Sequence, residues 1–485
     1  MRRFSTGLPE LDLVLGGGLP VGALVILAGA PGTGKTVLAE QICFANATRE
    51  HKAIYYSTVS ESPSKLMEHL ETFDFYDHSA VADRIEFINL GEMLQGEPRD
   101  SLGPLIDEMV RKINEEVPIL VVLDSSKALR DLAGEAPLRT AIYNLAARVA
   151  HTGCTLLFLG EYSHEEIASG PEFSLADGIV ELAYESREPH DRRWLRVVKM
   201  RSSRHLEGHH SIEISQHGFA VFPRLETVVR SLADLEEPAG RISSGIPGLD
   251  EMMGGGIPAA EATAVLGASG SGKTALALGF IARGLADGER CLYISFQERV
   301  HQLVRKASSF GWDLAPMLLS GQLTIYHVPH GQLNLDVVGS VIRRQIEAGP
   351  PTRVVLDSLA ELVMAGGESE RFPAYSRGLL GLLQAAGASL IVTSETAGLG
   401  PGTGPLGGLS FLFQNVVFLR YIELESEIRR AVGVIKMRDS DHYKGLRMVD
   451  ISNRGFEVGD KIAGLTGLLG WSALRGPDDP DQPGL

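Results

Sequence analysis

Gly29-Ala30-Pro31-Gly32-Thr33-Gly34-Lys35-Thr36 and Gly267-Ala268-Ser269-Gly270-Ser271-Gly272-Lys273-Thr274 carry one pattern, G-x-x-x-x-G-K-[ST], 238 positions apart. Each follows an apolar run that reads as a strand, Ala23–Ala28 in the first copy, and opens a helical pattern, there Lys35–Glu50. Strand, glycine loop and helix in that order form a phosphate cradle. The glycines let backbone N–H groups close around phosphate oxygens, and the helix N-terminus adds partial positive charge. Lysine reaches the outer phosphates, and the threonine hydroxyl is placed to ligate Mg²⁺. The candidate nucleotide-binding residues are therefore Gly29, Gly32, Thr33, Gly34, Lys35 and Thr36, with Gly267, Gly270, Ser271, Gly272, Lys273 and Thr274. A glycine-rich turn with a chance lysine is the alternative, and recurrence in the same context weighs against it.

Outward from the loops the likeness continues. Phe4-Ser-Thr-Gly-Leu-Pro-Glu-Leu-Asp12 matches Ile242-Ser-Ser-Gly-Ile-Pro-Gly-Leu-Asp250, and each runs on into a Gly-Gly-Gly-(Leu/Ile)-Pro turn. The offset changes to 233 at Asp124 and Asp357 and to 237 at Lys199 and Lys436. A period this long means two whole domains rather than solenoid repeats. The expected organisation is a first domain over 1–225, a linker over 226–240, a second domain over 241–465 and a tail over 466–485. The tail's Pro- and Asp-rich end has no apolar periodicity and reads as disordered.

Within each copy, near-continuous apolar strands alternate with helical patterns: Ala53–Ser57, then Lys65–Phe73, then Ile119–Leu123. That alternation predicts an α/β fold with a mostly parallel sheet covered by helices on both faces. Each copy closes on hairpin strands, Trp194–Met200 and Ala431–Met437, so an antiparallel extension is expected. A chain of 485 residues with 44% hydrophobic and 22% charged residues is globular and too long for one core. Its formal net charge of −16 argues against bulk electrostatic coating of nucleic acid. Three scattered cysteines, never as CxxC, exclude a disulfide scaffold and fit a reducing cytoplasm. No apolar run approaches the roughly 20 residues of a membrane helix.

A carboxylate at the end of a buried strand beside the loop is needed to complete a Mg²⁺ shell. Asp124 in Ile119-Leu-Val-Val-Leu-Asp124 and Asp357 in Arg353-Val-Val-Leu-Asp357 supply it, with helix capping as the plainer role. Hydrolysis needs a group to orient or deprotonate water, and the end of the neighbouring strand offers Glu61, after Ser60, and Glu298, after Gln297. Surface glutamates are common, so a solvated role stays open for both.

Basic residues crowd the two hairpins: Arg187, Arg192, Arg193, Arg196, Lys199, Arg201 and Arg204, then Arg429, Arg430, Lys436, Arg438, Lys444 and Arg447. Lys199 and Arg201, like Lys436 and Arg438, sit two apart and are expected on one strand face, with His205 and His442 four residues on. Such a face suits a neighbouring subunit's phosphates, nucleic-acid phosphates, or simple solvation. Phe310 follows an apolar helical stretch and reads as core or as an adenine-stacking ring. His164-Glu165-Glu166 lacks the second histidine of a zincin helix and carries no metal reading.

Together, the two Ser-(Thr/Ser)-Gly-(Leu/Ile)-Pro-x-Leu-Asp motifs, the triple-glycine turns, the phosphate loops and the Lys-Met-Arg strands resemble the KaiC-type ATPases of the RecA-like class. The resemblance spans roughly residues 4–460. It implies RecA-like folds, a double-ring homohexamer and ATP at subunit interfaces. It further implies that Lys199, Arg201, Lys436 and Arg438, with His205 and His442, face a neighbour's nucleotide. The family carries two adjacent glutamates at the second strand end, the first acting as base; here those first positions are Ser60 and Gln297. An adjacent Ser–Thr phosphorylation pair of the family falls on Ser410-Phe411, so one acceptor hydroxyl remains, with a turn serine as the alternative.

Three functions follow as expectations. The first is an Mg·ATP-dependent hexameric ATPase that signals through nucleotide state to an unidentified protein partner, with autophosphorylation at Ser410. The second is an ATP-stabilised scaffold without turnover, which Ser60 and Gln297 favour. The third is a DNA-dependent relative of the same core, which the acidic charge opposes.

Overall fold

The computed structural model describes residues 2–57, 63–90, 102–185, 192–229, 240–329, 333–366, 371–396, 412–424, 426–438 and 440–462, and the two-residue strands at 465–466 and 474–475. The chain divides into two compact units, Met1–Val228 and Val229–Leu485.

In the first unit nine strands form one sheet. Its order is Gly218–Phe222, His210–Ser215, Arg192–Met200, Gly178–Glu185, Leu24–Ala28, Thr155–Gly160, Leu120–Asp124, Ala53–Ser57 and Ile85–Asn89. The six strands from Gly178–Glu185 onward are parallel, and the other three add as antiparallel hairpins. The second unit repeats this order from Gly455–Lys461 through Ala262–Gly267 to Leu323–His327. The parallel α/β core with antiparallel hairpin strands expected from the alternation is the fold.

The strand Leu24–Ala28 explains why its sequence is apolar without alternation. Val25 and Leu27 enter one cluster of buried side chains, and Leu24, Ile26 and Ala28 enter the other, across the sheet. A strand packed on both faces has no polar side to present. Each large side chain so buried contributes about 1.5–3 kcal/mol relative to exposure.

The helix after the first loop runs Lys35–Asn46, shorter than the pattern through Glu50 suggests. Ala47 takes an extended conformation, and the Thr48 amide donates to the His51 carbonyl at 3.0 Å, closing the turn into Ala53–Ser57. The tertiary return ends the helix, not its composition.

The Ser-(Thr/Ser)-Gly-x-Pro-x-Leu-Asp motif has a structural task. Asp12 accepts from the Thr6 amide at 2.8 Å and the Ser5 hydroxyl at 2.5 Å. Asp250 accepts from the Ser244 amide at 2.7 Å and the Ser243 hydroxyl at 2.6 Å. Each aspartate thus ties the entering chain to its first helix. Arg3 and Arg241 add a clamp, donating to the Gly18 and Gly256 carbonyls at 2.6 and 2.7 Å.

Candidate nucleotide-binding sites

Each glycine loop joins the C-terminal end of a central strand to a helix that opens at Lys35 or Lys273. Gly34 and Gly272 hold φ of 95° and 108°, a left-handed conformation costly for other residues. A Cβ on Gly34 would lie 2.3 Å from Ile214 Cδ1, and one on Gly272 2.6 Å from Ile451 Cδ1. Both strain and space therefore demand glycine there.

Lys35 donates to the Gly29 and Ala30 carbonyls at 2.8 and 2.9 Å, and Lys273 to those of Gly267 and Ala268 at 2.8 Å each. Burial lowers the pKa of both ammonium groups, while Glu161 and Asp124 oppose that for Lys35, and Glu395 and Asp357 for Lys273. Glu161 and Glu395 were not singled out from the sequence. Glu395 ends the strand next to its loop and Glu161 directly follows the matching one, by the same rule that selects Asp124 and Asp357.

The hydroxyl of Thr36 donates to Oδ2 of Asp124 at 2.9 Å, and that of Thr274 to Oδ2 of Asp357 at 3.0 Å. Hydroxyl and carboxylate oxygens so close match the small protein share of an Mg²⁺ shell, which keeps waters and substrate phosphates as its other ligands. The residues present fit that ion. Behind them Tyr55 and Tyr293 donate to the same two oxygens at 2.8 and 2.7 Å. Burial first, then the adjacent aspartate, holds both phenols well above their ordinary pKa, so they remain donors. Sequence reasoning missed these tyrosines, although they too stand 238 positions apart at matching strand positions. In the second unit Thr393 also donates to Asp357 Oδ1. The matching residue beside Asp124 is Leu159, which has no hydroxyl to give.

This double arrangement can be set beside known proteins. The family model described as "ATPase: KaiC" matches residues 4–226 and 242–462. The chain belongs to the KaiC family of ATPases. It is 30% identical to a circadian clock oscillator protein KaiC of Parathermosynechococcus lividus, covering 97% of this chain and 88% of that one. It is 29% identical to circadian clock protein KaiC3 of a Synechocystis species, covering 97% of this chain and 94% of the relative. Its two tandem units are KaiC-type RecA-like domains.

The remaining sequence-selected residues fall in different places. Glu298 is turned toward the helix Val300–Ser309 that follows it, accepting from Lys306. Gln297 instead donates to Glu361, which also accepts from Ser358. Ser60, Glu61 and the Ser410-Phe411 pair lie outside the described residues, as does Arg187. Phe310 packs edge-on against Trp312, ring centroids 5.3 Å apart, on the core of its unit.

The two KaiC-type hairpins end at Met200 and Met437, so Arg201 and Arg438 stand just past their strands rather than on a strand face. The ladder runs out where Gly178 meets Met200 and Asn415 meets Met437; Ser202 then turns the first chain with φ of 55°. Lys199 donates to the Phe173 and Ser174 carbonyls at 3.4 Å, and Lys436 to Phe413 at 2.7 Å. Burial lowers both lysine pKa values, and Arg201 and Arg438 add to the shift. Arg201 reaches Asp177 at 3.1 Å, while Arg438 is exposed; His205 and His442 are half-buried nearby in sequence. Arg430 touches the second glycine loop, donating to the Gly270 carbonyl at 3.3 Å across the Tyr421 ring.

Among the described residues no helix is long and apolar enough to cross a membrane.

Proposed function

We propose that this KaiC-family ATPase binds Mg·ATP in both units and assembles as a cytoplasmic homohexamer with nucleotide at its subunit interfaces. Its nucleotide state, joined by phosphorylation at Ser410, is the signal it presents to a protein partner. One observation carries the reading: in both units a loop threonine and a strand-end aspartate meet within hydrogen-bonding distance directly beside the phosphate lysine.

Lys35 and Lys273 exchange their loop carbonyls for the outer phosphates. Thr36 with Asp124, and Thr274 with Asp357, would hold a magnesium ion, which when bound would supply positive charge against the triphosphate. Lys199, Arg201, Lys436 and Arg438, with His205 and His442, complete a neighbouring subunit's site from the strand ends.

Native mass spectrometry after incubation with Mg·ATP tests this. A nucleotide-loaded hexamer is expected, with Lys35→Ala and Lys273→Ala each removing one nucleotide per subunit. A monomer, or unchanged nucleotide occupancy in both variants, overturns the reading. A mass gain of one phosphate, abolished by Ser410→Ala, is expected for the autokinase part.

A second reading, an ATP-held scaffold with negligible turnover, is favoured by the engagement of Glu298 with Lys306. Turnover at background level in the wild type and in Glu298→Gln alike would select it.

A further inference from the structure

We propose that Gln297 and Glu361 form a water-orienting pair in the second unit, with Gln297 meeting the attacking water and Glu361 positioning Gln297. The proposal rests on nucleotide binding in that unit as read above.

The pair is assembled by the sheet. Ser295 lies level with Asp357 in adjacent parallel strands, and Gln297 follows two residues later. Glu361 sits in the first turn of the helix Leu359–Gly366, separated from Asp357 only by Ser358. The two side chains therefore converge at the carboxyl ends of the strands, where α/β sheets place their ligands. Glu361 is 2% exposed, and both its oxygens are engaged: Oε1 by Gln297 Nε2, Oε2 by Ser358 Oγ.

Both Glu361 oxygens are acceptors here, so Glu361 dictates which end of the Gln297 amide faces it. The NH₂ group turns inward, and the carbonyl oxygen is left for another partner. Gln297 itself is exposed. A glutamine carbonyl at such a strand end can accept one O–H of a water and aim its oxygen at the γ-phosphorus, the role glutamine plays in several GTPases. An amide does not take the proton. The water oxygen forms a new bond to the γ-phosphorus, and the bond from that phosphorus to the β,γ-bridging oxygen breaks. ADP leaves with the electron pair. The water proton passes to a γ-phosphoryl oxygen, giving dihydrogen phosphate.

The first unit has no such pair in its sequence. Neither Val59, which the 238 offset of Tyr55 and Tyr293 sets against Gln297, nor Ser60 beside it is a glutamine, and Ala128 follows Asp124 at the spacing of Glu361 from Asp357. The two domains thus differ in the side chains they can bring to a water beside the nucleotide.

The plainer role for Glu361 is capping, since Ser358-Leu-Ala-Glu361 has the capping-box spacing. Glutamine serves at that position equally well, so Glu361→Gln keeps the cap and removes only the dictated amide orientation. The experiment uses the full chain carrying Lys35→Ala, so that only the second unit takes ATP, and measures ATP Kd, kcat, KM and Tm. Gln297→Leu is expected to lower kcat by about 10²-fold, in the range for loss of a catalytic group acting on water. Glu361→Gln lowers it by about 10-fold, with ATP Kd and Tm unchanged, and adds nothing on top of Gln297→Leu. A carboxylate at the strand end removes the dependence: Gln297→Glu with Glu361→Gln turns over no slower than Gln297→Glu alone. Parental kcat in Glu361→Gln overturns the proposal. So does a fall in kcat matched by a loss of ATP affinity and Tm, which is a structural role. So does a Lys35→Ala chain that binds ATP without turning it over. ATP affinity that survives Lys273→Ala in this background refutes nucleotide binding in the loop instead, and is thereby distinguished.

Discussion

The Tyr293 hydroxyl donates to Oδ2 of Asp357 at 2.7 Å, the same oxygen that receives the Thr274 hydroxyl at 3.0 Å. Tyr55 and Asp124 repeat the relationship at 2.8 Å. One lone pair of each oxygen is thereby directed, leaving the carboxylate aimed toward the loop. Outer-shell partners of metal ligands typically carry 10–100-fold of affinity. Tyr293→Phe is expected to weaken Mg²⁺ dependence of ATP binding in the second unit by about 10-fold, read by titrating Mg²⁺ against a fluorescent ATP analogue. An unchanged Mg²⁺ midpoint would show that the tyrosine only fills space.

Arg353 is 1% exposed, an unusual place for a guanidinium. It donates to Glu289 at 2.5 Å and to the Ser243 and Phe280 carbonyls at 2.6 and 3.1 Å, and lies 4.6 Å over the Phe280 ring. The corresponding strand residue in the first unit is Leu120. Arg353→Leu, although it copies that unit, strands three acceptors. It should cost about 3 kcal/mol, the lower end for breaking a buried pair from one side. Urea unfolding monitored in the second unit measures it.

Glu166 caps the helix His164–Ser169 from within, in a complete capping box with Ser163. The Ser163 amide, then Arg130 and Lys127, hold its pKa down from 4.5 to about 2 against the opposing effect of burial. A depressed carboxylate stabilises above its unfolded pKa and loses that contribution as pH falls through the folded value. The wild type should exceed Glu166→Gln in thermal stability at pH 6, with the gap closing between about pH 4.5 and pH 2. A gap independent of pH in that window would assign the effect to packing. With the side chain 35% exposed, solvent screening keeps the gap small.

Cys43, Cys154 and Cys291 are all buried and free. Burial pushes the thiols of Cys154 and Cys291 up to about 12 and raises that of Cys43 further. At pH 8 no thiolate is available. A chromogenic disulfide reagent should therefore titrate none of the three in the native protein and all three in denaturant. Fast reaction of even one native cysteine would contradict the packing around it.

Features that depend on short spacing or on the repeat are legible in the chain's residues alone. The phosphate loops need glycine at Gly34 and Gly272 because backbone geometry is local. The strands Leu24–Ala28 and Leu120–Asp124 read as buried because both their faces are apolar. Asp124 and Asp357 stood out because a parallel sheet collects ligands at its strand ends. The duplication made each reading twice. Which distant side chains meet is set by the folded chain. Alternation along a strand tells which face a residue takes, not what the neighbouring strand places beside it. Tyr293 against Asp357, Arg353 under Phe280, and Gln297 against Glu361 all depend on register between strands and helices tens of residues apart. Glu298, the more conspicuous carboxylate in sequence, is drawn to Lys306 in the helix that follows it. Gln297, which cannot ionise, is the one that meets Glu361, because the sheet sets Ser295, two residues before it, level with Asp357.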